Sequence, residues 1–444
     1  MVCLSWLCSN GQPLPNGSLR TFLDTAASRF PLLKARQYEL QAAALQTNAV
    51  SRQFSPELDA MYQANFSTYN NITGMNYPQL LLPISGPPSA DNNFSGVFGS
   101  AASVLFRWQA VTFGKKDAFL REANSGTALV SARQQEDLLA LQMKTGHAYL
   151  EALAAEALSS TFAHNVRRTE NDYVAIQSLA RNGLRPGVDT ALMAAEISKA
   201  KIGYMQSVQL RDQSLELLKQ LLQIDQLPVL SDTQLLYRGP RIPDMTDTTV
   251  HPLLSFYDAA IKSHEARKEA LEKSAAPSLG LWGTTYARGS GIDDLGNVKA
   301  FEGLGFQRFN YGAGAQLSIP ILQRSRLKPQ IEQQEWLMKS KDAERQEASL
   351  QLQVSRNRAK IRLEQALLVT EENTKLVKHA DYAWQAMRSR YETGLATITE
   401  LLQAQYSLLK AETDSRISMV EAWKAALDYS GAMGSMQGFL NQIR

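Results

Sequence analysis

Tyr391–Leu402, with the sequence YETGLATITELL, lies between two long helical patterns. One pattern runs from about residue 324 up to this stretch, and the other continues from it to about Met433. Gly394 stands where a helix can end and the chain can reverse, because glycine adopts the left-handed backbone conformation at little cost. The stretch therefore predicts a corner between two helices.

A second corner precedes it in the chain. The sequence ARNGLRPGVD contains Gly183 followed by leucine, with Asp189 six residues after the glycine. The later corner has the same pattern, with Glu400 six residues after Gly394. The two corners therefore indicate an internal repeat.

Segments further upstream repeat in the same way. Phe30–Leu58 aligns without a gap on His251–Leu279, with prolines matched near both ends. Each segment is a helical pattern that begins at a proline and stops at the next one. After each stop the apolar period changes to two, which predicts β-hairpins at 57–107 and 278–320.

The clearest strand is FNYGAGAQLSI, in which apolar residues from Phe309 to Ile319 alternate with small and polar ones. Alternation over about ten residues is typical of transmembrane β-strands. A half-buried strand of a soluble hairpin gives the same local pattern. The two hairpins, each set between long helices, favour the transmembrane interpretation.

Two uninterrupted helical patterns cover about 113–180 and 324–391. At ~1.5 Å per residue, each predicts a helix of about 100 Å, a length typical of coiled coils or bundles. Two sets of positions on these helices are expected to be buried. The apolar set, at heptad spacing, is Val354, Ile361 and Leu368. The small-residue set, which permits close approach of a neighbouring helix, is Ala148, Ala152 and Ala155.

These patterns predict a division of the chain into two repeats with a connector. The predicted segments are a signal remnant or disordered tail at 1–17, a first repeat at 18–224, a connector or equatorial region at 225–250, a second repeat at 251–434 and a tail at 435–444. Each repeat comprises a helix, a β-hairpin, a long helix and a return helix.

Composition argues against several function classes. The 46 basic and 43 acidic residues give a net charge of +3, so no electrostatic surface for nucleic acid is expected. The five histidines show no ligand spacing and no nucleophile constellation stands out, so we expect no enzyme activity, metal or cofactor.

The only cysteines are Cys3 and Cys8, which excludes a disulfide framework. Cys8 is a candidate for lipid attachment, although Leu7 is larger than the residue that such signals prefer there.

The order and duplication of these elements resemble the TolC-like outer-membrane efflux proteins, also called outer membrane factors. The resemblance extends from about Ser18 to Gly434. Its most specific parts are AQLSIPILQRSR, Ala315–Arg326, and YETGLATITELLQAQ, Tyr391–Gln405.

The resemblance implies a mixed α and β fold, mainly of long α-helices. Three protomers would each give four strands to a twelve-stranded transmembrane β-barrel, continued by a periplasmic α-helical barrel. The homotrimer would be the exit duct of a tripartite efflux pump or a type I secretion system, in the bacterial outer membrane. Its implied partners are a periplasmic adaptor protein, an inner-membrane pump and outer-membrane lipid. The alternative is a soluble periplasmic coiled-coil scaffold or adaptor.

The resemblance also implies functional residues. The periplasmic gate would include Tyr391, Glu400, Asp189 and Arg185. This chain has Ala396 where a well-known member of the family has an arginine and Gln403 where that member has a second acid, so we expect a rewired charge network. The alternative for Tyr391 is a helix-packing aromatic, and that for Glu400 is an acid favoured by the helix dipole.

Corner residues expected to contact the adaptor are Gly183, Leu184, Gly394 and Leu395. Aromatic residues expected at the membrane interface are Tyr62, Phe66, Trp282, Tyr286, Phe309 and Tyr311.

Overall fold

A computed structural model describes residues 17–68, 70, 91–242, 250–293 and 297–443. Each of the two predicted hairpins lies between helices, as expected. The helices are α1 Leu19–Arg29, α2 Pro31–Arg52, α3 Lys115–Arg181, α4 Gly187–Leu222, α5 Pro252–Ser274, α6 Gln323–Glu392, α7 Ile398–Met433 and α8 Gln437–Leu440. The strands are β1 Glu57–Ser67, β2 Val97–Val111, β3 Ser278–Ser290 and β4 Arg308–Ser318. The predicted mixed fold dominated by long α-helices is confirmed.

The chain divides into two compact units that cut across the predicted repeats. The first comprises Met1–Ala42, Ala128–Ile261 and Lys339–Arg444, and the second comprises Ala43–Thr127 and Lys262–Met338. Among the described residues, no helix has both the length and the apolar character to span a membrane.

The core of the first unit forms where the connector and the N-terminal helix meet α3 and α7. The indole nitrogen of Trp423 donates to the carbonyls of Leu235 and Arg238, both at 3.0 Å. The buried carboxylate of Asp232 accepts from the backbone nitrogen of Leu19 at 2.7 Å and from the hydroxyl of Tyr149 at 2.9 Å. These bonds satisfy polar groups that burial would otherwise leave unpaired.

The heptad residues predicted to be buried divide into two sets. The small residues of α3, Ala148, Ala152 and Ala155, are buried. The apolar residues of α6 that were predicted to be buried are exposed in the single chain, so that prediction is corrected. These residues are Val354, Ile361 and Leu368. The reason is that α6 turns this stripe away from the other helices of its own chain.

The second unit contains one antiparallel sheet of order β1-β2-β3-β4. Glu57 pairs with Arg107, Arg107 with Trp282, and Trp282 with Gly314. Directly paired residues point to the same face of a sheet, and neighbours along a strand point to opposite faces. This row therefore defines one face.

The two faces differ in polarity. The face that carries Arg107 is mostly polar, with Asp59, Gln63, Asn65, Ser103, Gln109, Thr284, Asn310 and Gln316. The opposite face is mostly apolar, with Leu58, Tyr62, Phe66, Val104, Trp108, Leu281, Phe309, Tyr311 and Leu317.

This register divides the six predicted interface aromatics between the two faces. Of the six residues, Tyr62, Phe66, Phe309 and Tyr311 lie on the apolar face, whereas Trp282 and Tyr286 lie on the polar face. The register therefore does not place all six residues on one face of the sheet. The physical reason is the period of two, which assigns odd- and even-numbered residues of one strand to opposite faces.

Candidate gate at the helix corners

The two predicted corners have the same backbone geometry. Gly183 and Gly394 adopt positive φ angles of 70° and 87°. In each corner the following leucine donates its backbone N–H to a carbonyl five residues earlier. Leu184 bonds to Leu179 at 2.9 Å, and Leu395 bonds to Arg390 at 2.7 Å. This is the hydrogen-bond pattern of a glycine-terminated helix, and it explains the glycine at each position.

The helix after the second corner begins with a capping box. The hydroxyl of Thr397 accepts from the backbone nitrogen of Glu400, and the Glu400 carboxylate accepts from the backbone nitrogen of Thr397 at 2.7 Å. These bonds satisfy free N–H groups of the first helical turn. They hold the pKa of Glu400 below its usual value, chiefly through the bond from the Thr397 backbone.

Tyr391 connects the two corners. Its hydroxyl donates a 2.7 Å hydrogen bond to Oδ2 of Asp189, which lies in the first turn of α4. Tyr391 is 1% exposed and Asp189 is 6% exposed. Burial, followed by the hydrogen bond to Asp189, raises the pKa of Tyr391, so the phenol remains protonated and remains a donor.

Arg185 completes this cluster. Its guanidinium carbon lies 4.2 Å from the centroid of the Tyr391 ring, a cation–π contact. Its Nη2 atom is buried and has no hydrogen-bond partner among the described residues. The corner thus combines a phenol, a carboxylate and a guanidinium group with one unused donor.

Apolar residues surround Tyr391. They are Ile176 of α3, Met193 of α4, Ala396 of the second corner, and Ile398 and Leu401 at the start of α7. Exclusion of water by these side chains strengthens the Tyr391–Asp189 hydrogen bond, because the local dielectric constant is low.

A layer of ionic contacts lies on α3 next to the corner. Asp172 is buried and bonds to Nε of Arg388 at 3.2 Å. Burial raises the pKa of Asp172, while the charges of Arg388 and Arg168 oppose that change. The guanidinium of Arg168 forms two hydrogen bonds to Glu412, at 3.1 and 2.9 Å.

Two further polar contacts tie α4 and α3 to α7. Tyr406 donates a short hydrogen bond to Glu196, and Lys199 donates to the hydroxyl of Tyr406 at 3.2 Å. The amide of Gln405 donates to the hydroxyl of Thr169 at 2.6 Å, with both groups buried. The helices near the corners are therefore joined by polar groups at positions that an ordinary bundle fills with leucine.

The structure brings together three of the four residues predicted for the gate. Tyr391, Asp189 and Arg185 form one cluster, whereas Glu400 makes its hydrogen bonds within the first turn of α7. The role of each in gating stays a prediction. The corner leucines Leu184 and Leu395 are 68% and 70% exposed, which leaves them accessible to a partner. Cys8, the candidate for lipid attachment, lies outside the described residues.

Sequence reasoning missed the ionic layer, although a signal existed. On α3, the buried residues Asn165, Thr169, Asp172 and Ile176 follow the alternating spacing of four and three that marks a helix seam. Three polar residues in succession at seam positions indicate a polar layer. Gln405 likewise occupies a seam position between Leu401 and Leu408 of α7.

Residues 258–415 match the outer membrane efflux protein family. No curated protein matches the chain in sequence.

The fold is similar to that of three bacterial outer-membrane proteins. VceC from Vibrio cholerae is 16% identical, with 94% of this chain and 96% of that chain covered and a TM-score of 0.70. The CmeC outer membrane channel of Campylobacter jejuni is 13% identical, with coverages of 97% and 90% and a TM-score of 0.69. The open state of the MtrE outer membrane channel of Neisseria gonorrhoeae is 16% identical, with coverages of 95% and 90% and a TM-score of 0.67. At these identities, the likeness concerns the fold.

The sequence match covers a large part of the second half of the fold. The matched residues 258–415 include the second hairpin, the whole of α6 and the second corner. Residues 258–415 therefore resemble the outer membrane efflux proteins, and most of the chain shares its fold with solved outer-membrane channels.

Proposed function

We propose that the chain is one protomer of a homotrimeric exit duct. The duct passively conducts substrates from the periplasm to the exterior for a tripartite efflux pump or a type I secretion system. The single observation that carries the proposal is the four-stranded sheet, with one apolar face and with β1 and β4 as its edge strands. Unpaired backbone groups at such edges cost several kcal/mol each in lipid, so an isolated sheet of this kind is unstable there. Three copies that pair β1 with β4 close a twelve-stranded barrel, with the polar face inward.

The exposed stripe on α6 supports association of several copies. Val354, Ile361 and Leu368 lie one heptad apart and are all exposed in the single chain. A heptad stripe of apolar side chains is stable when another helix covers it. We assign this cover to a neighbouring protomer in a periplasmic α-helical barrel.

The gate lies at the corners in this proposal. The Tyr391–Asp189 bond joins the C-terminal end of α6 to the N-terminal end of α4 and keeps the two corners together. Arg185 retains a buried donor, which a neighbouring protomer can satisfy when the corners of three copies converge. Opening separates Tyr391 from Asp189 and exposes both groups to water.

The adaptor protein binds the outer surface of the corners. Leu184 and Leu395 present exposed leucines directly after the helix-ending residues Gly183 and Gly394. Equivalent corners in the proposed repeats, 18–224 and 251–434, would give each adaptor two related contact sites. The inner-membrane pump is then linked through the adaptor.

The proposal is tested by the mass and the conductance of the purified full-length chain. In detergent, we expect a particle with the mass of three chains, and in a planar lipid bilayer we expect discrete channel currents. A chain that stays monomeric and remains in solution without detergent would contradict the duct. That result would favour the periplasmic scaffold instead.

A further inference from the structure

A cavity of about 560 Å³ opens at one end of the sheet. Its lining residues come from the sheet, mostly from its polar face, and from the adjoining ends of α2 and α3, all within the second unit. This volume is in the range of pockets that hold small molecules.

Trp282 provides an aromatic wall. Its indole lies against the backbone of β4, since a methyl group on Gly314 would come within 2.9 Å of the indole Cζ2. The side chain is still 38% exposed, so the opposite face of the ring is accessible. An accessible ring supported from behind is a suitable surface for stacking against a planar ligand.

A polar trough lies beside the indole. On the same face as Trp282, Gln109 of β2 pairs with Gly280 of β3, and Gly280 pairs with Gln316 of β4. Two amide side chains therefore flank a residue without a side chain. A Cβ atom on Gly280 would come no closer than 3.7 Å to any neighbour. The trough therefore has room for ligand atoms and has hydrogen-bonding groups on both sides.

The charges that line the cavity leave one cation without a carboxylate. Arg107 is engaged by Asp59 at 2.7 Å and by Glu57 at 3.4 Å. Lys115, at the start of α3, forms no ion pair within the described part of the chain, and its Nζ atom lies 5.9 Å from the centroid of the Phe119 ring. A negatively charged group in the cavity would give Lys115 a partner.

We propose that this cavity binds aromatic organic anions. The ring of the ligand stacks on Trp282, its anionic group pairs with Lys115, and its polar atoms bond to Gln109 and Gln316. The inference rests on the proposed exit duct, in which the polar face of the sheet lines the lumen. The cavity then makes aromatic acids a class of transported substrate that the duct itself recognises.

The test measures binding of three naphthalene ligands to the full-length chain in lipid nanodiscs by isothermal titration calorimetry, with empty nanodiscs subtracted. The ligands are naphthalene-2-sulfonate, the neutral naphthalene-2-sulfonamide and a naphthylmethyl-trimethylammonium cation. We expect the sulfonate to bind about fivefold more tightly than the sulfonamide, as for one solvent-accessible ion pair. Lys115→Gln should abolish this preference, and Lys116→Gln, which removes the neighbouring charge outside the cavity, should retain it.

Two variants test the cavity itself. Trp282→Ala removes the stacking surface and should weaken binding of all three ligands. Gly280→Val fills the trough without changing any charge and should also weaken binding of all three ligands. It provides the test if Trp282→Ala proves unstable. Unchanged melting temperature and particle mass show that a variant is folded.

Equal affinity for the sulfonate and the sulfonamide, tighter binding of the cation, or equal effects of Lys115→Gln and Lys116→Gln would overturn the inference. Failure of all three ligands to bind would overturn it as well. A chain that conducts current without preferring the anion contradicts only the binding site. A chain that prefers the anion but carries no current keeps the site and contradicts the duct.

Discussion

The hydroxyl of Tyr391 donates a 2.7 Å hydrogen bond to the carboxylate of Asp189, 202 residues away in the chain. The bond is buried and joins the end of α6 to the first turn of α4. It links the two corners of the internal repeat by one donor and one acceptor.

Replacement of Tyr391 with phenylalanine should loosen the corners. The change keeps the ring and removes the donor, which leaves a buried carboxylate without that partner at a cost of about 1–3 kcal/mol. We expect a higher open probability in planar bilayers with unchanged trimer mass. The matched control is Tyr382→Phe, because Tyr382 lies on the same helix and is 74% exposed. Equal open probabilities of both variants and the parent chain would remove Tyr391 from the gate.

Substitutions of Glu400 should separate a capping role from a charge in the gate. Glu400→Ala removes the Glu400 half of the capping box and should lower the melting temperature. Glu400→Gln removes the charge but keeps an acceptor for Thr397, so we expect a melting temperature close to that of the parent chain. Trimer mass should be unchanged in both.

Ion selectivity, measured as the reversal potential in a salt gradient, then decides the role of the Glu400 charge. A reversal potential that differs between Glu400→Gln and the parent chain would place the Glu400 charge on the conduction pathway. An unchanged reversal potential and conductance in both variants would leave Glu400 with a capping role alone. Thr399→Ala, in the same helical turn, is the control.

Acidic pH should stabilise the closed corners through Asp172. Burial raises the pKa of Asp172 above its unfolded value of about 3.9, so the folded form binds the proton more tightly. Stability from this group is therefore greatest at low pH and falls as pH rises from about 4 through the raised pKa. The charged groups that act on it are Arg388, Arg168 and Glu392.

The measurement is open probability at pH 4 to 7 for the parent chain and for Asp172→Asn. We expect fewer openings of the parent chain at the acidic end, because separation of the helices would expose Asp172 and lower its pKa. The asparagine variant lacks the titrating group and should show a smaller change. An identical pH profile in the two proteins would exclude Asp172 as the source.

Spin labels at adjacent strand residues should report opposite environments. Ala315 and Gln316 of β4 point to the apolar and the polar face. In a Cys3→Ser/Cys8→Ser background, we expect a label at Ala315→Cys to be accessible to oxygen dissolved in lipid. A label at Gln316→Cys should be accessible to a water-soluble nickel complex. Equal accessibility of the two labels to both reagents would contradict a membrane-spanning sheet.

The sequence by itself determined the helices, the strands and the corners. Prolines marked the starts of α2 and α5, the change from helical period to period two marked the hairpins, and Gly183 and Gly394 marked the corners because each has a positive φ. These are local properties of the backbone, so a single chain segment is enough to reveal them. The resemblance to a family then identified Tyr391, Asp189 and Arg185 as a related set.

Only the tertiary structure decided which of these residues meet. The contact of Tyr391 with Asp189, the pairing of Asp172 with Arg388 and the capping role of Glu400 depend on how α3, α4, α6 and α7 rotate against one another. The side of the sheet that holds Trp282 likewise follows from strand register, and a shift of one residue would reverse it. Helix rotation and strand register are set by the sum of many weak contacts between distant segments, which no local pattern contains.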